Sequence, residues 1–210
     1  MSLSRFDLAA ATWDEQPARL VLTRAIAEAV RTQVPLHPSM TALDFGCGTG
    51  LLSLALQPVL HRVIGIDSSS GMLEKMQEKS QAMHLDNVET RLLDLTSEAP
   101  PADLHAELIF SAMALHHIAD LPRLLQVFCQ LLSPGGWLAL ADLDSEDGSF
   151  HPDLTGVYHS GSDRAWLQAQ LETLGFHHLR ATTAHVIERP NEQGALRQYP
   201  VFLVSGQRGS

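Results

Sequence analysis

The sequence predicts an α/β protein with a doubly wound, mostly parallel sheet, and three observations carry that prediction. From residue 41 onward, short apolar runs alternate with stretches of helical character, the pattern of strands joined by crossover helices. Two of those runs, 42–45 and 63–67, are apolar apart from Gly65 and one aspartate at or near the end of each, Asp44 and Asp67, as suits strands covered on both faces. Glycines at 46, 48 and 50 then lead from the first run into the helix-like stretch 51–56. Side-chain-free backbone there allows a sharp turn, and a helix start offers free N–H groups to a ligand.

The first 40 residues read as a helical lead-in, or cap, ahead of a single domain spanning 41–210. Pro17 suits a first helical turn, Leu20, Val21, Ile26, Ala27 and Val30 form an apolar stripe, and Pro35 and Pro38 break the chain. Strands are expected at 41–45, 62–67, 87–93, 106–112 and 136–142, with helices at 50–57, 70–83 and 120–132. Ser69 or Ser70 can cap the helix that carries Met72, Leu73 and Met76. Ser133-Pro134-Gly135-Gly136 reads as a helix stop followed by a turn. Residues 143–161 are polar and aperiodic, a long loop and a candidate lid. A helix over 162–174, stopped by Gly175, and strands near 178–188 and 199–206 complete the chain. Pro200 fits the opening of a strand better than its middle.

With 210 residues, 45% of them hydrophobic, the chain can bury one sizeable core. A net charge of −10 without a Lys/Arg cluster argues against a nucleic-acid partner, which needs cations matched to phosphates. No run approaches the roughly 18 apolar residues needed to span a bilayer, and the N-terminus lacks the apolar core of a signal peptide. Cys47 and Cys129 supply neither a disulfide framework nor metal spacing. The expectation is therefore a reducing cytoplasm, no membrane and no metal, with Cys47 a small residue of the glycine loop and Cys129 a buried helix residue.

The glycine spacing discriminates among ligands. A dinucleotide fingerprint needs its third glycine where Leu51 stands, and a P-loop needs Lys-Ser/Thr where Leu51-Leu52 stand. Asp44 with Gly46, Gly48 and Gly50 resembles motif I of the class I S-adenosylmethionine-dependent methyltransferases, and residues 132–140 resemble that family's turn into its fifth strand. The resemblance covers the chain from about residue 40 to its end and is strongest in the first two thirds.

That resemblance implies a seven-stranded sheet of order 3-2-1-4-5-7-6 with an antiparallel last strand. It implies S-adenosyl-L-methionine as cofactor and S-adenosyl-L-homocysteine as product. Asp44 would meet the cofactor's ammonium, directly or through water, with the backbone of Gly46, Cys47, Gly48 and Gly50 about it; an Asx cap of the turn is its alternative. Asp67, with Ser68 beside it, stands where nucleoside-binding α/β folds place the acid that accepts both ribose hydroxyls. Met72 either covers the adenine, its thioether adapting to an aromatic face, or packs in the core. Asp94 takes the family's polar position at the adenine amino group, and the N–H of Leu95 faces a ring nitrogen. The stretch from Ser111 to His117 is expected to pass beneath the sulfonium and open onto the acceptor.

Absences point to a small-molecule acceptor. After the fourth strand the chain reads Ser111-Ala-Met-Ala-Leu-His-His, where DNA and RNA amino-methyltransferases carry an Asp/Asn/Ser-Pro-Pro-Tyr loop. The Pro-Cys of cytosine-C5 enzymes, the cysteines of arsenic methylation and the carboxylates of metal-dependent catechol-type enzymes are missing too. His116 and His117 are the catalytic candidates. Adjacent residues on an extended chain point oppositely, so one would face the pocket as general base or orienting donor, or serve only as a hydrogen-bonded loop histidine. Phe6, Trp13, His151 and His159 are candidate acceptor contacts. The acidic set Asp142, Asp144, Glu146 and Asp147 either attracts a cationic acceptor such as an amine or forms a solvated loop. Methyl transfer is the favoured activity, while a binding-only regulatory protein and a protein-modifying enzyme stay open. So do the acceptor atom and the choice between monomer and homodimer.

Overall fold

The computed structural model describes residues 5–190 and 195–209. Seven strands form one sheet: β1 (Thr41–Phe45), β2 (Arg62–Asp67), β3 (Val88–Leu92), β4 (Ala106–Ala112), β5 (Leu132–Leu143), β6 (Phe176–Pro190) and β7 (Leu196–Arg208). Their order is β3-β2-β1-β4-β5-β7-β6. The first five pair in parallel, and β7 runs antiparallel to both β5 and β6, as the resemblance implied. Helices α1 (Arg5–Ala9), α2 (Pro17–Gln33), α3 (Leu51–Leu56), α4 (Ser70–Ala82), α5 (Leu121–Leu131) and α6 (Arg164–Thr173) surround it.

Strand parity divides the core, because successive side chains face opposite sides of a sheet. Leu43, Phe45, Ile109, Leu138, Leu140 and Phe202 pack with Leu124, Phe128, Leu167 and Leu171 of α5 and α6. Ala42, Leu108, Phe110, Ala139, Ala141 and Leu203 pack with Ile26, Val30, Leu52 and Leu56 of α2 and α3. Burying one such Leu or Phe contributes about 1.5–3 kcal/mol, and the double cover explains the near-continuous apolar runs of the central strands. The helix starts are set by short polar side chains. The Ser69 hydroxyl accepts the Met72 N–H at 3.2 Å, and Asp120 and Asp163 do the same for Arg123 and Trp166.

Several local expectations are corrected. Ser133–Gly136 does not leave the sheet. β5 begins where α5 ends, and the segment bulges between two β4 pairs, Ala106 with Leu132 and Leu108 with Trp137; its glycines serve a kink inside a strand. Pro200 lies within β7 instead of opening it. Its carbonyl accepts the Asp144 N–H at 2.9 Å, just past the last β5 pair at Val201, so its nitrogen falls where no ladder bond is required. The stripe on α2 is shorter than expected: Ile26, Ala27 and Val30 are buried, whereas Leu20 and Val21 are 38% and 53% exposed, the inward positions of these first turns being Arg19, Leu22 and Thr23, which line a cavity. Cys129 is half-buried, its thiol 3.6 Å from the Leu174 carbonyl.

Among the described residues, no helix is long and apolar enough to cross a membrane.

Candidate active site

Two adjoining cavities open at the carboxyl ends of the parallel strands, about β1, which has β2 on one side and β4 on the other. Open α/β sheets bind ligands at such a reversal of strand order. The smaller cavity, about 330 Å³, lies toward β2 and β3, and the larger, about 500 Å³, toward α2 and the loop after β5. Phe6, Gly46, Gly48, Met113 and His117 line both. This shared wall is the seam between them.

Asp67, Ser68, Met72 and Asp94 come together in the smaller cavity. The Asp67 carboxylate accepts the Gly48 N–H and the Ser69 N–H, each at 2.8 Å. Burial raises its pKa, with backbone N–H groups of Ser69, Gly48 and Ser68 holding it back. Two carboxylate oxygens have about four lone-pair sites, so capacity remains toward the cavity. Met72 is both cavity lining and core, being 1% exposed. For Asp94, burial alone would raise the pKa, but hydrogen bonds from Thr96 and Ser97 outweigh it and hold the carboxyl below its ordinary value. The Leu95 side chain is buried in the core; its backbone N–H takes no acceptor among the described residues.

The glycine loop needs its glycines for different reasons. Gly46 has φ +66°, and a Cβ on it would meet the Ala114 Cβ at 2.7 Å. Gly50, at φ +80°, lines neither cavity; it starts α3 and leaves room for Met76, which a Cβ would meet at 2.5 Å. Cys47 lines the larger cavity, its thiol pushed well above the ordinary range by burial.

Asp44 also lines the larger cavity and is 2% exposed. It accepts the Ser53 hydroxyl at 2.7 Å instead of capping the glycine turn. Burial raises its pKa to about 7. A carboxyl raised by folding binds its proton more tightly in the native state, so its stabilising contribution is complete below about pH 4 and is lost as pH rises toward 7. Urea midpoints of the ligand-free protein should therefore fall between those pH values relative to Asp44→Asn. Parallel curves for the two proteins would mean that Asp44 is ionised throughout.

His116 and His117 face the same cavity, contrary to the extended-chain expectation. Residues Leu115–His117 form a 3₁₀ turn, with the two rings 4.0 Å apart; neighbours in a three-residue turn are separated by about 120° instead of 180°. His116 is 2% exposed, and its Nδ1 lies 2.6 Å from Oδ1 of Asp142, which is fully buried. Asp142 also accepts the backbone N–H groups of His116 and Leu143. A carboxylate at Nδ1 selects the tautomer whose Nε2 carries a lone pair. His117 is held differently. Its Nδ1–H donates to the Gly156 carbonyl at 2.7 Å, leaving Nε2 to accept from Arg5 at 3.3 Å. Burial, chiefly, with the Arg5 guanidinium nearby, lowers its pKa to about 4.

Phe6, Trp13 and His151 line the larger cavity. His151 Nε2 is buried without a partner among the described residues, and burial lowers the pKa of this ring to about 4. His159 and Ser111 are not brought to either cavity. His159 Nε2 is engaged with the Ile118 carbonyl at 2.8 Å, and the Ser111 hydroxyl donates to the Phe45 carbonyl at 2.8 Å, between β1 and β4. The acidic set does not face a ligand either. Asp142 holds His116, Asp144 pairs with Arg164, Asp147 pairs with Arg197, and Glu146 accepts the Ser149 and Phe150 N–H groups.

The sequence reading missed Asp142 as a histidine partner, Tyr158 and Thr96 beside the smaller cavity, and Arg5, Arg19 and Arg189 in the larger. It also missed Met113, a seam residue at φ +58°. Such backbone costs about 1–3 kcal/mol and gathers at functional sites. The apolar character of 138–143, which makes Asp142 a strand residue, was the one signal available in the sequence for the dyad.

A family model described as a methyltransferase domain matches residues 16–193. The chain is similar to an uncharacterised methyltransferase of Schizosaccharomyces pombe, 36% identical over 135 residues, which is 58% of this chain and 48% of that protein. It is also similar to trans-aconitate 2-methyltransferase of Azoarcus sp. strain BH72, 35% identical across 61% of this chain and 50% of that protein. The chain thus spans about half the length of these two relatives. A solved structure of a SAM-dependent methyltransferase from Aquifex aeolicus superposes with a TM-score of 0.66 at 25% identity, covering 96% of this chain and 97% of that one. With the sheet order and the strand-end site, these matches identify the family: the chain belongs to the class I S-adenosylmethionine-dependent methyltransferases.

Proposed function

We propose that this protein transfers the methyl group of S-adenosylmethionine to a small-molecule acceptor, the nucleoside occupying the smaller cavity and the acceptor the larger. The observation that carries this reading is the seam at which Gly46, Gly48, Met113, His117 and Phe6 line both cavities. The residues fit the cofactor. Gly46 and Gly48 present backbone without a Cβ, Asp67 retains acceptor capacity for the ribose, Met72 and Asp94 border the smaller cavity, and the Leu95 N–H, itself outside the lining, lies between the lining residues Asp94 and Thr96. Asp44 stands by the seam for the ammonium, and Ser68 beside Asp67. Bound S-adenosylmethionine supplies an electrophilic methyl on a sulfonium.

The chain's own part is alignment, exclusion of water and proton management. Holding two reactants in a productive geometry can contribute about 7–11 kcal/mol. His116 Nε2, oriented through Nδ1 by Asp142, is the base for an acceptor that must lose a proton. Phe6, Trp13 and His151 wall the acceptor. The loop 143–161 covers the site: Phe150–Asp153 border the larger cavity and Gly156 and Tyr158 the smaller, while the Tyr158 and His159 N–H groups anchor on the His116 carbonyl at 2.9 and 3.2 Å. His159 acts as a tether of that cover. The relative that methylates trans-aconitate, by its name, supports a small-molecule acceptor.

Calorimetry with S-adenosylhomocysteine tests the reading, combined with limited proteolysis. Binding should occur, and nicking within 143–161 should slow once S-adenosylhomocysteine is present. Absence of binding, together with no transfer from methyl-labelled cofactor to any member of a metabolite panel, would defeat it.

A further inference from the structure

We propose that the methyl acceptor is an anion, a small carboxylic acid whose carboxylate is bound by Arg19 and Arg189. This inference rests on the methyltransferase reading of the larger cavity and names the class of molecule that enters it. The chain carries a net charge of −10, yet Arg5, Arg19 and Arg189 line this one cavity, against only two carboxyls, Asp44 and Asp153. Neither acid offsets Arg19 or Arg189. Asp44 is buried on Ser53, and Asp153, which holds the Thr155 N–H at 2.9 Å, balances Arg5 instead. Among the described residues, none of the three arginines forms an ion pair.

Arg5 is engaged with the Thr155 carbonyl and His117. Arg19 and Arg189 are less committed and are held alike. Arg19 donates to the Trp13 carbonyl at 2.7 Å and lies 3.5 Å over the Trp13 ring. Arg189 donates to the Phe150 carbonyl at 3.0 Å and lies 4.0 Å over the Phe150 ring. One carbonyl uses one of five N–H donors, and stacking fixes the plane of the guanidinium. Each arginine therefore presents a pre-oriented fork, the geometry that receives a carboxylate through two parallel bonds.

The electrostatics agree. Partial burial lowers the pKa of both, and for Arg19 the nearby Arg189 lowers it further, against the pull of Asp14. Asp14 itself is taken by Lys79 and Thr49, each at 2.6 Å. A guanidinium disfavoured by burial and by a second one nearby is relieved by an entering anion. The sequence offered an acidic loop for a cationic acceptor. The fold turns that loop's carboxylates onto other partners and leaves arginines at the cavity.

The experiment titrates the protein saturated with S-adenosylhomocysteine against succinate, its uncharged counterpart succinamide, and inorganic phosphate. Succinate should bind at least tenfold more tightly than either of the others. Arg189→Gln should weaken succinate at least tenfold and leave S-adenosylhomocysteine affinity unchanged, and Arg189→Lys should fall between. Equal affinity for succinate and succinamide overturns the proposal, as does phosphate binding as tightly as succinate. Arg189→Gln that loses S-adenosylhomocysteine while keeping succinate also overturns it, by assigning that guanidinium to the cofactor. Repeating the succinate titration without S-adenosylhomocysteine separates the two readings, since failure of cofactor binding alone strikes the methyltransferase reading and not the anion site.

Discussion

Replacing Asp67 with alanine is expected to weaken S-adenosylhomocysteine binding by about 10- to 150-fold. A hydrogen bond to a charged group contributes about 1.5–3 kcal/mol, and about 1.4 kcal/mol is a factor of ten. Two effects act together. The ribose loses its acceptor, and the Gly48 and Ser69 N–H groups, each held at 2.8 Å, lose the carboxylate that joins the glycine loop to the start of α4. Asp67→Asn keeps the shape and one acceptor oxygen, so it should fall between wild type and alanine. Calorimetry decides the matter, and an alanine variant with unchanged affinity would remove Asp67 from the cofactor site.

His116→Ala should slow methyl transfer in a single turnover by about 10²- to 10⁴-fold, the usual contribution of a positioned base, with S-adenosylhomocysteine affinity preserved. Asp142→Asn should reproduce a large part of that loss without removing the ring. Asp142 takes three donors, the His116 N–H, the His116 ring and the Leu143 N–H, and an amide has a single acceptor oxygen to offer them. The NH₂ group turned toward His116 would favour the tautomer that carries its proton on Nε2, the nitrogen meant to receive one. Full single-turnover rates in both variants would show that the acceptor arrives already ionised and that the dyad serves packing alone.

The parts of this molecule that depend on local pattern were legible. β1, β2 and β4 are apolar because both faces are covered, and Asp44 and Asp67 stand out for being polar where such a strand ends. The glycine loop showed itself because Gly46 admits no Cβ. What depends on distant chain meeting in space was not legible. Arg19 belongs to α2 and Arg189 to β6, and no spacing rule joins them. The His116/His117 pair was misread because a 3₁₀ turn of three residues has no periodicity to detect. Asp142 was the last residue of the expected strand and was grouped with the acidic residues after it, although β5 continues through Leu143 and buries it.

Helix α1 ties the two cavities together physically. Asp7 accepts the Ser69 hydroxyl at 2.6 Å and the Gly71 N–H at 3.0 Å, Arg5 reaches the Thr155 carbonyl and His117, and Phe6 between them walls both spaces. One short segment thus latches onto the start of α4 and onto the loop after β5 at once. Product release is therefore expected to require that this latch lift, which would couple the two exits. Rapid-mixing kinetics checks it: a burst of one turnover followed by a slower steady rate is the expected outcome, and a linear progress curve would remove α1 from that role.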